Sequence, residues 1–136
     1  MIPFDINPRL AGDTYHVADL KLCAVRLMKD ANYPWLILVP RKPDLIELLD
    51  LEAPERAELM EEIALASEAL RETTDCQKLN VAALGNQVPQ LHIHIIARHQ
   101  DDPAWPGPVW GAAKPVAYDS GERDRLISEL SDRLSA

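Results

Sequence analysis

Two histidines one residue apart, His92 and His94, lie in a run that alternates polar and apolar, Gln90-Leu91-His92-Ile93-His94-Ile95. In an extended strand successive side chains point to opposite faces. Gln90, His92 and His94 are therefore expected on one face, with Leu91, Ile93 and Ile95 anchoring the other. Same-face neighbours lie roughly 7 Å apart along a strand. Imidazole at neutral pH is largely unprotonated yet basic, which suits attack on an electrophile by one ring while its neighbour orients or donates a proton. The donor-rich turn Asn86-Gln87 just upstream fits that use. Two other readings compete. Histidines at i and i+2 can share a metal ion, with His99 or a distant carboxylate as a third ligand. Alternatively, hydrogen bonds satisfy both rings within a core.

The elements that would carry this face follow from pattern. Pro3 to Gly12 reads as a lead-in with one short helical turn. Thr14–Val17 and Leu20–Met28 read as strands, Lys29–Pro34 as a turn, and Trp35–Val39 as a continuous apolar run fitting a buried strand. Asp44–Leu51 is expected to hold a short helical turn. One long helix is expected over about 53–73, since Pro54 is tolerated in a first turn. Its core stripe is read as Leu59, Ile63, Ala66 and Leu70, with Met60 a further core candidate. Glu58, Glu61, Glu62, Glu68 and Glu72 are expected to face solvent. Lys78–Leu84 reads as a strand, and Gly85-Asn86 as a tight reversal into the histidine strand. The segment Asp101–Gly111 is rich in proline and tryptophan. Trp105 and Trp110 are expected to seal a core edge or a dimer seam, or to wall a planar ligand. Ser120 is a candidate cap for a last helix over 122–134 with Ile127, Leu130 and Leu134 as its stripe. Strands and helices do not alternate strictly, so the class is α+β with an antiparallel sheet, in a single domain spanning residues 1–136.

Composition narrows the partners. A net charge of −8 argues against a nucleic acid polymer, which needs a basic surface. A small nucleotide held by a few local donors remains compatible. No apolar run is long enough for a bilayer span, and the amino end does not read as a secretory leader. Cys23 and Cys76 match no metal or redox spacing, so reduced thiols in a cytoplasmic protein are expected. Cys23 reads as a small core residue, and His16 as a surface or structural histidine.

The run 90–96 resembles the histidine triad (HIT) signature, His-φ-His-φ-His-φ-φ with φ apolar, with Gln90 in the first histidine's place. Trp35-Leu36-Ile37-Leu38-Val39-Pro40 resembles the family's Gly-His-φ-φ-Val-φ-Pro strand, with Trp35 replacing the histidine. The resemblance extends from the first hairpin to the tryptophan loop. It implies a HIT-like α+β fold, an antiparallel sheet of about five strands with one long helix and a C-terminal helix. It also implies a homodimer, no cofactor and no obligatory metal.

By the same resemblance His92 is the nucleophile. It attacks the α-phosphorus of a nucleoside phosphoramidate, dinucleoside polyphosphate or related adenylate, and water then releases the monophosphate from a nucleotidyl-histidine. His94 matches the residue that hydrogen-bonds phosphate and aids the leaving group. Gln90 is expected to keep the neighbouring ring oriented. Gln87 matches the small polar residue that contacts phosphate, Asn86 matches the amide residue that closes the preceding strand, and Asp30 falls near the residue that holds ribose hydroxyls. Trp35 and Gln90 are read as a paired replacement, the indole narrowing the pocket, and the Trp105–Trp110 loop is the candidate to reach across a dimer. The rival reading is a nucleotide-binding or interaction protein with weakened catalysis. A metal-dependent hydrolase comes third.

Overall fold

In a computed structural model, residues 4–135 are described. Met1, Ile2 and Pro3, with which the expected lead-in and the leader argument begin, lie outside them. The first three strands form an antiparallel meander: β1 (Thr14–Asp19), β2 (Cys23–Met28) and β3 (Trp35–Pro40). After the long helix come β4 (Lys78–Ala82) and β5 (Ile93–Arg98), and β5 inserts beside β3. The sheet order is β1-β2-β3-β5-β4, antiparallel throughout. Every residue of β3 and β5 is buried, as two central strands covered on both faces require. The α+β class and the five strands are as expected.

The two faces have different covers. One is packed by α2 (Ala53–Thr74) and α3 (Ser120–Ser135), whose Leu59, Ala66, Leu70, Leu126 and Leu130 meet the inner sides of Leu36, Leu38, Ile93 and Ile95. The other carries Trp35, Ile37 and Ile96, and is covered by Leu10 of α1 (Pro8–Asp13) together with Val88 and Val109 from loops. The parity read from the histidine run thus holds: Leu91, Ile93 and Ile95 go to the helical side.

Several expectations are corrected. Glu62 does not face solvent: it is 3 % exposed, and its two carboxylate oxygens accept the backbone N–H groups of Leu22 and Cys23, each at 2.8 Å. That ties α2 to the β1–β2 turn, which Leu20 N–H closes on the Cys23 carbonyl at 2.8 Å, so β2 starts at Cys23 rather than Leu20. Met60 is not core but 62 % exposed, because it lies off the stripe that α2 turns inward. The last helix begins at Ser120, and the side chain that bonds its first turn is Asp119, which accepts from Glu122 N–H at 3.2 Å. The reversal before β5 is not tight. Residues 83–92 are irregular, since Leu91 N–H bonds the Leu45 carbonyl at 2.8 Å instead of joining a ladder. Gly85 in that loop takes φ +60°, a left-handed conformation that suits a residue without Cβ. Both cysteines are free, Cys23 buried and Cys76 half-buried.

Candidate active site

His94 is the second residue of β5 and pairs with Ile37 of β3, while His92 stands just before β5 begins. Their rings meet edge to face with centroids 4.9 Å apart. Both are almost fully buried, at 6 % and 5 % exposure. His92 Nδ1 lies 2.6 Å from the backbone carbonyl of Gln90. A carbonyl only accepts, so Nδ1 carries a proton, and in the neutral ring the lone pair is on Nε2. His94 Nδ1 lies 3.0 Å from Nε1 of Trp35, which donates to it. Burial, with the neighbouring His92 second, pushes His94 down to about 4.

The rings border a cavity of about 390 Å³. Polar groups reach it from Arg9 and Asp13 of α1 and from Asn86 and Gln87 of the irregular loop. Trp35 and Trp110 form its aromatic wall: Trp110 stands edge-on to His94 with centroids at 5.1 Å and to Trp35 at 5.9 Å. The structure therefore brings together Trp35, Asn86, Gln87, His92 and His94. Asp30 lines an adjoining hollow of about 320 Å³ that shares Asp13, Met28 and Trp35 with the first. It is buried, and its Oδ1 accepts the N–H groups of Asn32 at 3.0 Å and Val116 at 3.3 Å. Those bonds tie the β2–β3 turn to the segment ahead of α3.

Gln90 behaves differently from expectation. Its side-chain oxygen accepts from Asn7 N–H at 2.8 Å and its amide donates to the Asp5 carbonyl at 2.8 Å. The ring of His92 is held by the backbone of Gln90, not by its side chain. Trp35 and Gln90 are therefore no interacting pair: one bonds His94, the other pins the N-terminal segment. The tryptophan loop also divides. Trp105 packs on the guanidinium of Arg98 at 5.6 Å, and Trp110 packs on His94. His99, the candidate third metal ligand, turns Nε2 to the Thr74 carbonyl at 3.1 Å. Among the described residues no group of three or more His, Cys, Asp or Glu could hold a metal ion. His16 is exposed beside Asp19.

Arg9 and Asp13 were missed because they sit in and just after the lead-in, about 80 positions from the histidines, where no local pattern links them. The signal was the amphipathic turn itself, with Leu10 turned to the core.

A sheet of this order, with paired rings at the start of its fourth strand in space, defines a histidine triad protein. A model of the HIT domain matches residues 11–101, and the chain belongs to that family. It is similar to a histidine triad protein of Bradyrhizobium japonicum, with 52 % identity over 98 % of this chain and 99 % of that one and a TM-score of 0.96. A histidine triad protein of Marinobacter aquaeolei shares 44 % identity, covering 98 % and 97 % of the two chains at TM-score 0.94. One from Sinorhizobium meliloti shares 40 %, covering 96 % of each at TM-score 0.93. No curated protein sequence gave a match.

Proposed function

We propose that this chain is a nucleotide hydrolase or nucleotidyl transferase acting at the α-phosphate of nucleoside phosphoramidates, dinucleoside polyphosphates or related adenylates. Family membership supports nucleotide-binding and hydrolase-type chemistry. The observation that carries the finer reading is the hydrogen bond from His92 Nδ1 to the Gln90 carbonyl, which leaves Nε2 basic on a ring that borders the cavity. His92 Nε2 attacks the α-phosphorus, the bond to the leaving group breaks, and a nucleotidyl-histidine forms. Water then attacks the same phosphorus, losing a proton to solvent, and the electron pair of the N–P bond returns to Nε2. Arg9, Asn86 and Gln87 supply donors for phosphate oxygens. Trp110 offers an apolar wall, and the hollow beside Asp30 is the candidate ribose pocket. The reaction needs no metal in this account.

The test is intact-protein mass after brief mixing with a mixed anhydride of AMP and a carboxylic acid. A transient adenylyl adduct is expected on the native chain. His92→Ala is expected to lose the adduct and at least about 100-fold in AMP release, while AMP still binds. Undiminished release by that variant sinks the mechanism. Binding of AMP by the native chain with neither adduct nor release favours the nucleotide-binding reading.

We further propose a homodimer built on β4. This strand ends the sheet, and an edge strand offers backbone groups to another chain. Beside it Val81, Leu84, Leu48, Leu49 and Met60 are exposed by 44 % to 86 %. Single exposed apolar residues need no cover, but a contiguous group next to an open edge marks an interaction surface. A second copy meets it with the same edge, the closed arrangement of most homodimers.

A further inference from the structure

We propose that Trp35 is a positioning residue that locks His94 as a neutral Nε2–H donor, so that the site cleaves nucleotide anhydrides in preference to phosphoramidates. The proposal rests on the function proposed above and narrows its substrate class.

The lock follows from donor and acceptor inventory. An indole N–H can donate but cannot accept. Trp35 Nε1 stands 3.0 Å from His94 Nδ1, so Nδ1 must be the unprotonated nitrogen. The neutral ring then carries its proton on Nε2. Making His94 an imidazolium would place a proton on Nδ1 facing the indole N–H, two donors head to head with no acceptor between them. Breaking away is obstructed, because Trp35 is itself buried and Trp110 stands edge-on to both the indole and the His94 ring. A histidine at position 35 would impose no such restriction, since imidazole can accept as well as donate. The charged and titratable groups around His94 are few: His92 at 4.9 Å between centroids, and Arg9 and Asp13 on α1 across the cavity. Trp110 from the loop and Ile37 and Ala82 from the flanking strands carry no charge.

The chemistry then divides by leaving group. With an anhydride, the His92 Nε2 pair forms the N–P bond, the P–O bond breaks, and carboxylate or phosphate departs with the electron pair. No proton is required. With a phosphoramidate, the P–N bond breaks and the nitrogen must take up a proton as it leaves. His92 is spent as the nucleophile, and His94 could supply one only by becoming an imidazolate. Its Nε2–H can still steady a phosphate oxygen. The site therefore offers charge stabilisation without proton donation.

Two measurements decide the matter. The first is the ¹⁵N spectrum of imidazole-labelled native protein, titrated in the absence of nucleotide. His94 is expected as the Nε2–H tautomer and neutral down to pH 5. An Nδ1–H tautomer, or titration near the ordinary histidine range, overturns the lock. The second is turnover of adenosine 5′-aryl phosphates whose phenols differ in acidity. Without proton donation, kcat/KM should fall by roughly fivefold for each unit of phenol pKa. A flat series, or adenosine 5′-phosphoramidate cleaved as fast as the ester of the most acidic phenol, overturns the preference. Trp35→His should flatten the series and raise phosphoramidate turnover tenfold or more relative to the esters; an unchanged ratio in a folded variant counts against the role of the indole. If the native chain turns over no substrate, the catalytic reading and the preference fall together, while the spectrum separately decides the lock.

Discussion

Glu62 shows how much one residue can carry outside the active site. Its carboxylate satisfies two backbone N–H groups of the β1–β2 turn, where the side chain is buried. Burial raises its pKa, and a neighbouring Glu58 adds to the rise, so the charge is tolerated because the two donors face it. Glu62→Gln keeps the shape but turns an NH2 toward one of those donors. The variant is expected to lose about 1–3 kcal/mol in urea unfolding, with little change in nucleotide turnover. The sequence did contain the signal. Leu59, Glu62, Ala66 and Ala69 recur at three- and four-residue spacing, the period of a core stripe. Residue type outweighed position in assigning Glu62 to solvent, and Met60, an apolar residue off the stripe, erred the other way. Gln90 was misplaced for a different reason. Strand parity applies only within a strand, and β5 starts three residues later.

Among the elements, the central strands were the most legible, because β3 is a continuous apolar run and β5 opens on an alternation of histidine and isoleucine, patterns that leave little choice of structure. The loop after β5 was the least. Proline and tryptophan announced irregular backbone, but nothing local announced what orders it. That is Arg98, 1 % exposed, whose guanidinium holds Asp102 through two bonds of 2.8 and 3.0 Å and donates to Asn80 of β4 at 2.8 Å. Asp102 in turn accepts the N–H groups of His99, Ala104 and Trp105. The pair thus folds the segment that delivers Trp110 to the histidines. Burial alone would raise Asp102, but the bonds from Arg98 and the backbone outweigh it and hold the carboxyl below its ordinary 3.8. Its contribution to stability is therefore fully present above the unfolded value, about 3.9, and is lost as pH falls through the lower folded value. Asp102→Ala leaves a guanidinium buried without its carboxylate and should cost about 3–5 kcal/mol. Urea titrations from pH 6 to pH 3 are expected to show a shallower acid loss in this variant than in the native chain, and an equal loss would refute the assignment.

For the whole molecule, no helix among the described residues is long and apolar enough to cross a membrane, and Val81, Leu84, Leu48, Leu49 and Met60 are exposed beside the β4 edge. The double variant Val81→Lys, Leu49→Lys puts charge on that edge, a device proteins use to block edge pairing. Sedimentation equilibrium is expected to give a dimer for the native chain and a monomer for the variant. A native monomer at every concentration removes the dimer proposal. The site itself was only partly legible because it is assembled from distant stretches: α1, the first residue of β3, the loop before β5 and the end of the tryptophan loop. The histidines could be read from a seven-residue run; the partners that set their protons could not, since that contact is made across 59 positions between Trp35 and His94. One more property comes with this assembly. Of the chain's three tryptophans, two border the histidine cavity and the third stacks on a buried cation. Two of the three indoles thus stand where they would sense a ligand in that cavity, and the unlabelled protein carries its own optical gauge of whether the cavity is filled.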